Sequence, residues 1–145
     1  MLDRDEFDRW RRAAADARRS VELQGDAGLH NWACFLAEQA AQLAVKGLLR
    51  GIGSEAWGHD LVELGQALGG ELGEPLGDDL EAALQRLSRH YIPARYPDAH
   101  RSGEPGGHYG PEDTRQATVD ADRILELVDS TWADLSVRNE GDGGD

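Results

Sequence analysis

The chain has 145 residues, of which 39% are hydrophobic, and this length suits one domain around a single core. Its 15 basic and 28 acidic residues give a formal net charge of -13, which excludes a protein that holds nucleic acid by its overall charge. No apolar run approaches the roughly 18 residues that span a bilayer, and the charged N-terminus is unlike a signal peptide, so we expect a cytoplasmic protein without membrane contact.

Helical periodicity dominates the sequence and predicts an all-α fold. Apolar residues spaced by three and four share one face of a first helix, predicted over about residues 3–24. These residues are Phe7, Trp10, Ala14, Ala17 and Val21. Asp3 with Glu6 has the spacing of a capping box, which favours a helix start at this point.

The second predicted helix covers about residues 28–50, and its broad apolar face predicts that it is the most buried of the chain. It contains Cys34, the single cysteine, which we expect to be a buried and unreactive thiol. Its small residues allow another helix to approach closely, either from the same chain or from a second copy. They are Ala37, Ala40, Ala41, Ala44 and Gly47.

Two further capping boxes predict the next two helices. Asp60 with Glu63 precedes a short third helix, which the glycines at 69–70 are expected to end. Asp78 with Glu81 precedes a fourth helix over about residues 78–90.

The fifth helix is predicted to begin at Pro111, because proline suits the first turn of a helix. Its apolar face contains Ala117, Ala121, Ile124, Val128, Trp132 and Leu135. From Arg138 the sequence is polar and rich in glycine, which predicts a disordered tail at 138–145. The sequence therefore predicts one domain, residues 1–137, that forms an up-and-down bundle of about five helices with a long loop between the fourth and fifth.

Four segments, in this order along the chain, resemble the HEPN domain family, named for higher eukaryotes and prokaryotes nucleotide binding. The second helix, 35–49, has an aromatic residue, then Gln-Ala-Ala, and then a lysine shortly before two apolar residues. His59, Asp60 and Leu61 resemble the family's His-Asp-Leu sequence at the start of the third helix. Residues 91–98 match Tyr-Ile-x-x-Arg-Tyr-Pro-Asp, and Tyr109 with the alanine-spaced fifth helix completes the resemblance, which covers roughly residues 5–130.

This resemblance implies a helical bundle that forms a homodimer and is often encoded beside a small nucleotidyltransferase, in some cases as a toxin with its antitoxin. Members with the Arg-Tyr-Pro-Asp segment resemble non-catalytic binding modules. We therefore expect a module that binds a nucleotide, RNA or a nucleotidyltransferase partner and needs no cofactor. The candidate ligand-binding residues are Arg95, Tyr96, Asp98, Tyr91, Lys46, Gln39, His59 and Tyr109.

A metal-independent ribonuclease toxin is the alternative, since its branch of the family resembles Arg, four to six residues, and then His. Arg95 and His100 have this spacing. Histidine can move the proton of a ribose 2'-hydroxyl while arginine holds the phosphate, so the pair is the candidate catalytic site. Tyr96 and Ser102 depart from the ribonuclease branch, which has a polar residue after the arginine and a tyrosine two residues after the histidine.

Three of the candidate features also have purely structural interpretations. Arg95 could form an ion pair with Asp98 or with an acid of a neighbouring helix instead of contacting phosphate. The tyrosines could pack in the core instead of stacking on bases. The polar face of the second helix, with Glu38, Gln39, Gln42 and Lys46, could simply be solvated. The histidines and aspartates lack the spacing of metal ligands, so we expect no metal site.

Overall fold

The computed structural model describes residues 1–143, and within this range the protein forms five α-helices and no strand. The helices are α1 (Arg4–Asp26), α2 (His30–Gly51), α3 (Leu61–Leu72), α4 (Asp78–Ser88) and α5 (Pro111–Asp142). The predicted all-α bundle of about five helices is confirmed. Over the described residues, no helix is long and apolar enough to cross a membrane.

Helix α2 lies at the centre of the bundle and packs against the other four helices. The small side chains on α2 allow α1 to approach closely, since a Cβ added at Gly47 would lie 2.7 Å from Cβ of Trp10. This close neighbour of α2 therefore belongs to the same chain. Cys34 is fully buried, as predicted, and burial raises the pKa of its thiol to about 12.

Two of the three predicted capping aspartates are confirmed. The Asp3 carboxylate accepts a bond of 3.0 Å from the backbone N–H of Glu6, and that of Asp60 accepts bonds from the backbone N–H groups of residues 62 and 63. The predicted cap at Asp78 is wrong, because Gly77 occupies that position with a φ of 101° and Asp78 is already helical.

Helix α3 continues through the glycines at 69–70, where the sequence predicts its end, and stops at Gly73 in the left-handed conformation. Helix α5 continues to Asp142, so residues 138–142, assigned to a tail from composition, are helical. Residues 144 and 145 of that predicted tail lie outside the described residues.

The long connection between α4 and α5 is ordered into turns and two short 3-10 helices, Pro97–Ala99 and Pro105–His108. One side chain of α2 anchors it, since Asn31 Nδ2 donates a bond of 3.0 Å to the carbonyl oxygen of Ala94, which is fully buried. The connection therefore lies against α2.

Candidate functional site

Arg95 is held by three aromatic rings. Its guanidinium carbon lies 4.5 Å from the ring centroid of Tyr91, 4.6 Å from that of Phe35 and 5.0 Å from that of Tyr96. Its Nε donates a bond of 2.8 Å to the carbonyl oxygen of Tyr91. We call these four residues the arginine cage. Each ring attracts the cation through its π-electrons, so the planar guanidinium is fixed in position.

The outer nitrogens of this guanidinium are not used in an ion pair. Among residues 1–143, no carboxylate lies within ion-pair distance of Arg95. The structural alternative of a bond to Asp98 is therefore not observed, and Asp98 is an exposed residue of the first 3-10 helix. Arg95 is half-buried, so part of its charged side chain remains accessible.

His59 extends the aromatic surface of the cage. Its ring stacks on that of Tyr91 with a centroid distance of 5.4 Å and an interplanar angle of 15°. The same residues line one wall of a cleft of about 590 Å³, a volume suited to a small ligand. The rest of the lining consists of Asp60, Ser88, Arg89, Ile92 and Pro93.

Beneath the cage, α2 contributes a buried polar group. The Glu38 side chain is fully buried and accepts hydrogen bonds from Gln39 Nε2, at 2.8 Å, and from Gln42 Nε2. Gln42 Nε2 also donates to the carbonyl oxygen of His59, at 2.9 Å. Loss of solvation raises the pKa of Glu38 to about 7, although its two amide partners and the positive charges of Arg95 and Lys46 act in the opposite direction.

Lys46 and Gln39 are not part of the arginine cage. Gln39 donates a hydrogen bond to Glu38. Lys46 is half-buried one helical turn beyond Gln42, and burial lowers the pKa of Lys46. The sequence left open whether this face of α2 is solvated. Because Glu38 and Gln42 are both buried, the face is not simply solvated.

Tyr109 belongs to a different group. Its hydroxyl oxygen lies 3.2 Å from Nδ1 of His90, and its ring lies against the same imidazole. Burial raises the pKa of Tyr109 to about 12 and lowers that of His90. The pair packs where the loop meets α5, which favours a structural role.

His100 shares the loop with Arg95, but its contacts are elsewhere. Its Nε2 donates a bond of 2.7 Å to the carbonyl oxygen of Pro93, and its ring stacks on His108 at a centroid distance of 4.1 Å. His108 Nε2 in turn donates to the carbonyl oxygen of Ser102. The two imidazoles therefore hold the loop together.

The sequence predicts Arg95, Tyr91, Tyr96 and His59 as candidate ligand-binding residues, and the structure brings these four residues together. The sequence did not reveal that the ring of Phe35 contacts the Arg95 guanidinium, or that Glu38 is buried. Phe35 was visible only as the aromatic residue of a family motif, and Glu38 as one polar residue among several.

Fold and site together define a helical bundle with an arginine, enclosed by three aromatic rings, in the connection between its last two helices. A sequence model of the HEPN domain family matches residues 7–131. None of the curated proteins compared with the chain is significantly similar to it.

Several solved structures share this fold. TT1696 from Thermus thermophilus is 34% identical with a TM-score of 0.77, and the match covers 86% of this chain and 96% of that one. ST0689, an archaeal HEPN homologue, is 29% identical with a TM-score of 0.71 and the same coverage of both chains. A HEPN domain protein from Thermotoga maritima, 24% identical over 86% of this chain and 98% of that one, shares the fold with a TM-score of 0.69. The chain belongs to the HEPN domain family.

Proposed function

We propose that this protein is a HEPN binding module of the Arg-Tyr-Pro-Asp kind, which takes the phosphate of a nucleotide or of an RNA end on Arg95. The observation that carries the proposal is the fixed guanidinium, held by three rings and by one bond to Tyr91 O. A guanidinium in a fixed plane can donate two parallel N–H bonds to a phosphate. Because the cage sets its orientation before binding, little rotamer entropy remains to be lost.

The overall charge of the protein restricts the size of the ligand. A net charge of -13 repels a long polyanion, since many phosphates would meet the acidic surface at once. A mononucleotide or the end of an RNA strand places only a few phosphates near the protein. We therefore favour these ligands over duplex nucleic acid.

The aromatic residues beside Arg95 support a nucleotide over inorganic phosphate. Tyr96 is 47% exposed, and Tyr91 with His59 borders the cleft of about 590 Å³. Exposed aromatic rings next to a cation are the features on which single-stranded nucleotides stack. The base would lie in or beside the cleft, with its phosphate on the cage.

We also propose that the protein forms a homodimer in the cytoplasm and binds a nucleotidyltransferase. Two exposed apolar side chains near the cage support a protein contact, Trp32 at 42% and Ile92 at 46% exposure. Sedimentation equilibrium tests whether the protein forms a dimer. Co-purification with the product of a neighbouring nucleotidyltransferase gene tests whether the two proteins bind each other.

Ribonuclease activity is the competing function, because Arg95 and His100 share one loop. It requires His100 to exchange a proton with a ribose hydroxyl, whereas its Nε2 donates to Pro93 O and its ring stacks on His108. These contacts favour binding over cleavage. Incubation of the protein with tRNA and EDTA tests the point: RNA that stays intact agrees with the binding module, and cleavage that His100→Ala abolishes establishes the ribonuclease.

Calorimetric titration with AMP, ATP, GTP and a short 5'-phosphorylated RNA tests the binding proposal. We expect at least one of these ligands to bind the wild-type protein and to lose most of its affinity with Arg95→Ala. Arg19→Ala is the matched control, since Arg19 is an exposed arginine of α1 whose contact is with Asp16. The absence of binding at millimolar ligand, or equal binding by Arg95→Ala, would contradict the proposal.

A further inference from the structure

Glu38 is a buried carboxyl that is close enough to Arg95 to interact with its charge. It is fully buried on α2, and the Nε2 atoms of Gln39 and Gln42 each donate to one of its oxygens. Gln42 Nε2 also donates to His59 O, and the His59 ring stacks on Tyr91. The carboxyl therefore belongs to a bonded network that ends at the aromatic rings around Arg95.

Two cations, on two different elements of the fold, favour the ionised form of Glu38. Lys46 acts from the same helix, and Arg95 acts from the turn that follows α4. The segment before α3 contributes His59, whose backbone oxygen shares the Gln42 amide. Burial opposes ionisation more strongly than these groups favour it, and the pKa of Glu38 rises to about 7. Both protonation states of the carboxyl are therefore populated near neutral pH.

We propose that Glu38 is a positioning residue whose protonation is coupled to anion binding on Arg95. An ionised Glu38 partly neutralises the charge of Arg95 and repels an incoming anion, whereas a protonated Glu38 leaves the whole positive charge for the ligand. By linkage, an anion on Arg95 favours the protonated carboxyl to the same degree. This inference rests on the proposed anion site and predicts that binding takes up a proton.

The pH dependence of anion affinity tests this coupling. Sulfate and the dinucleotide ApA are suitable probes, because the charge of each is constant between about pH 6 and about pH 8. We expect the wild-type protein to bind them about fivefold more tightly at the lower pH, which is the change that a coupling of about tenfold produces for a carboxyl with a pKa of about 7. Glu38→Gln should bind at the higher pH about as tightly as the wild type does at the lower pH.

Glu63→Gln is the matched control, since it removes one carboxylate from an exposed position on α3. It should keep the wild-type pH dependence. An equal pH dependence in wild type and Glu38→Gln would overturn the coupling and leave the anion site standing. If neither protein bound either probe at any pH, the anion site would be contradicted and the coupling with it.

A direct measurement on the wild-type protein avoids any effect of the substitution on folding. The ¹³C resonance of the Glu38 carboxyl, followed by NMR against pH, reports its own titration. We expect the midpoint to rise when sulfate saturates the protein. A midpoint that sulfate does not move would overturn the proposal.

Discussion

The guanidinium of Arg95 lies 4.5 Å from the ring centroid of Tyr91, and its Nε donates to the carbonyl oxygen of that same residue at 2.8 Å. One residue thus holds Arg95 twice, by its ring and by its backbone. The four-residue separation makes this possible, because the turn between the two residues brings the arginine stem back over the tyrosine. The orientation of the cation is therefore set by local chain geometry, and Phe35 of α2 completes it.

Tyr91→Ala should weaken nucleotide binding about fivefold. The substitution removes one cation–π contact, which contributes about 1 kcal/mol, and leaves the backbone bond in place. Tyr91→Phe is the matched control and should bind like the wild type, since it retains the ring. Calorimetry with AMP measures both variants. Equal affinities for the alanine and phenylalanine variants would show that the ring does not position Arg95 for binding.

Gly47→Ala should destabilise the bundle by about 1–3 kcal/mol, because its new Cβ would meet Cβ of Trp10 at 2.7 Å and force α1 away from α2. Gly70→Ala in α3 is the matched comparison, because a Cβ added at this helical glycine has no atom within 4 Å. It should stabilise the protein by about 0.5–1 kcal/mol, since alanine is the better helix former. Urea denaturation compares the two, and a Gly47→Ala variant as stable as the wild type would contradict the close packing.

Asp120→Ala should cost about 2–3 kcal/mol of stability. Asp120 is fully buried on α5 and accepts two bonds of 2.9 Å from Arg86 of α4 and one of 3.1 Å from Gln116. Asp129→Ala, which breaks a surface pair with Arg11, should cost less than about 1 kcal/mol. Thermal unfolding of both variants measures the difference. Similar losses would contradict the larger contribution of the Arg86–Asp120 pair, in which the aspartate is buried and the arginine is partly exposed.

Glu38 should make stability fall as the pH rises through the neutral range. Burial raises the pKa of Glu38 from its ordinary value of 4.5 to about 7, so the folded protein binds this proton more tightly than the unfolded chain. The stabilising effect is complete below about pH 4.5 and is lost as the pH rises through about 7, a total of about 3 kcal/mol.

Urea denaturation at a series of pH values measures this effect. Relative to Glu38→Gln, the wild-type protein should lose stability between about pH 4.5 and about pH 7. Glu63→Gln controls for the loss of an exposed carboxylate and should follow the wild type. A constant difference in stability between wild type and Glu38→Gln over this range would mean that Glu38 titrates as an ordinary carboxyl.

Apolar periodicity was sufficient to predict the five helices, because their buried faces follow the spacing of a helix turn. Helix ends were predicted less well where glycine was involved. The glycines at 69–70 remain helical, and the end of α3 falls at Gly73, where the left-handed conformation is adopted. Sequence spacing alone does not distinguish a glycine that ends a helix from one that lies within it.

Contacts within the candidate site could be predicted from the sequence only where the two residues lie close together along the chain. Arg95 and Tyr91 lie four residues apart, so their contact could be anticipated from one segment. Glu38 lies more than fifty residues before Arg95 in the sequence, so its burial close to that cation depends on the tertiary fold, which no local pattern reveals. Tyr109, grouped with the site through the family motif, instead contacts His90.

The most direct test of the account is a ¹⁵N NMR titration of the Arg95 guanidinium with AMP. A phosphate bound to the cage should shift the side-chain nitrogen signals of Arg95 in a saturable manner, while those of the control residue Arg19 stay unchanged. If AMP binds by calorimetry and the Arg95 signals do not move, the ligand lies elsewhere and the assignment of Arg95 as the phosphate-binding residue is wrong.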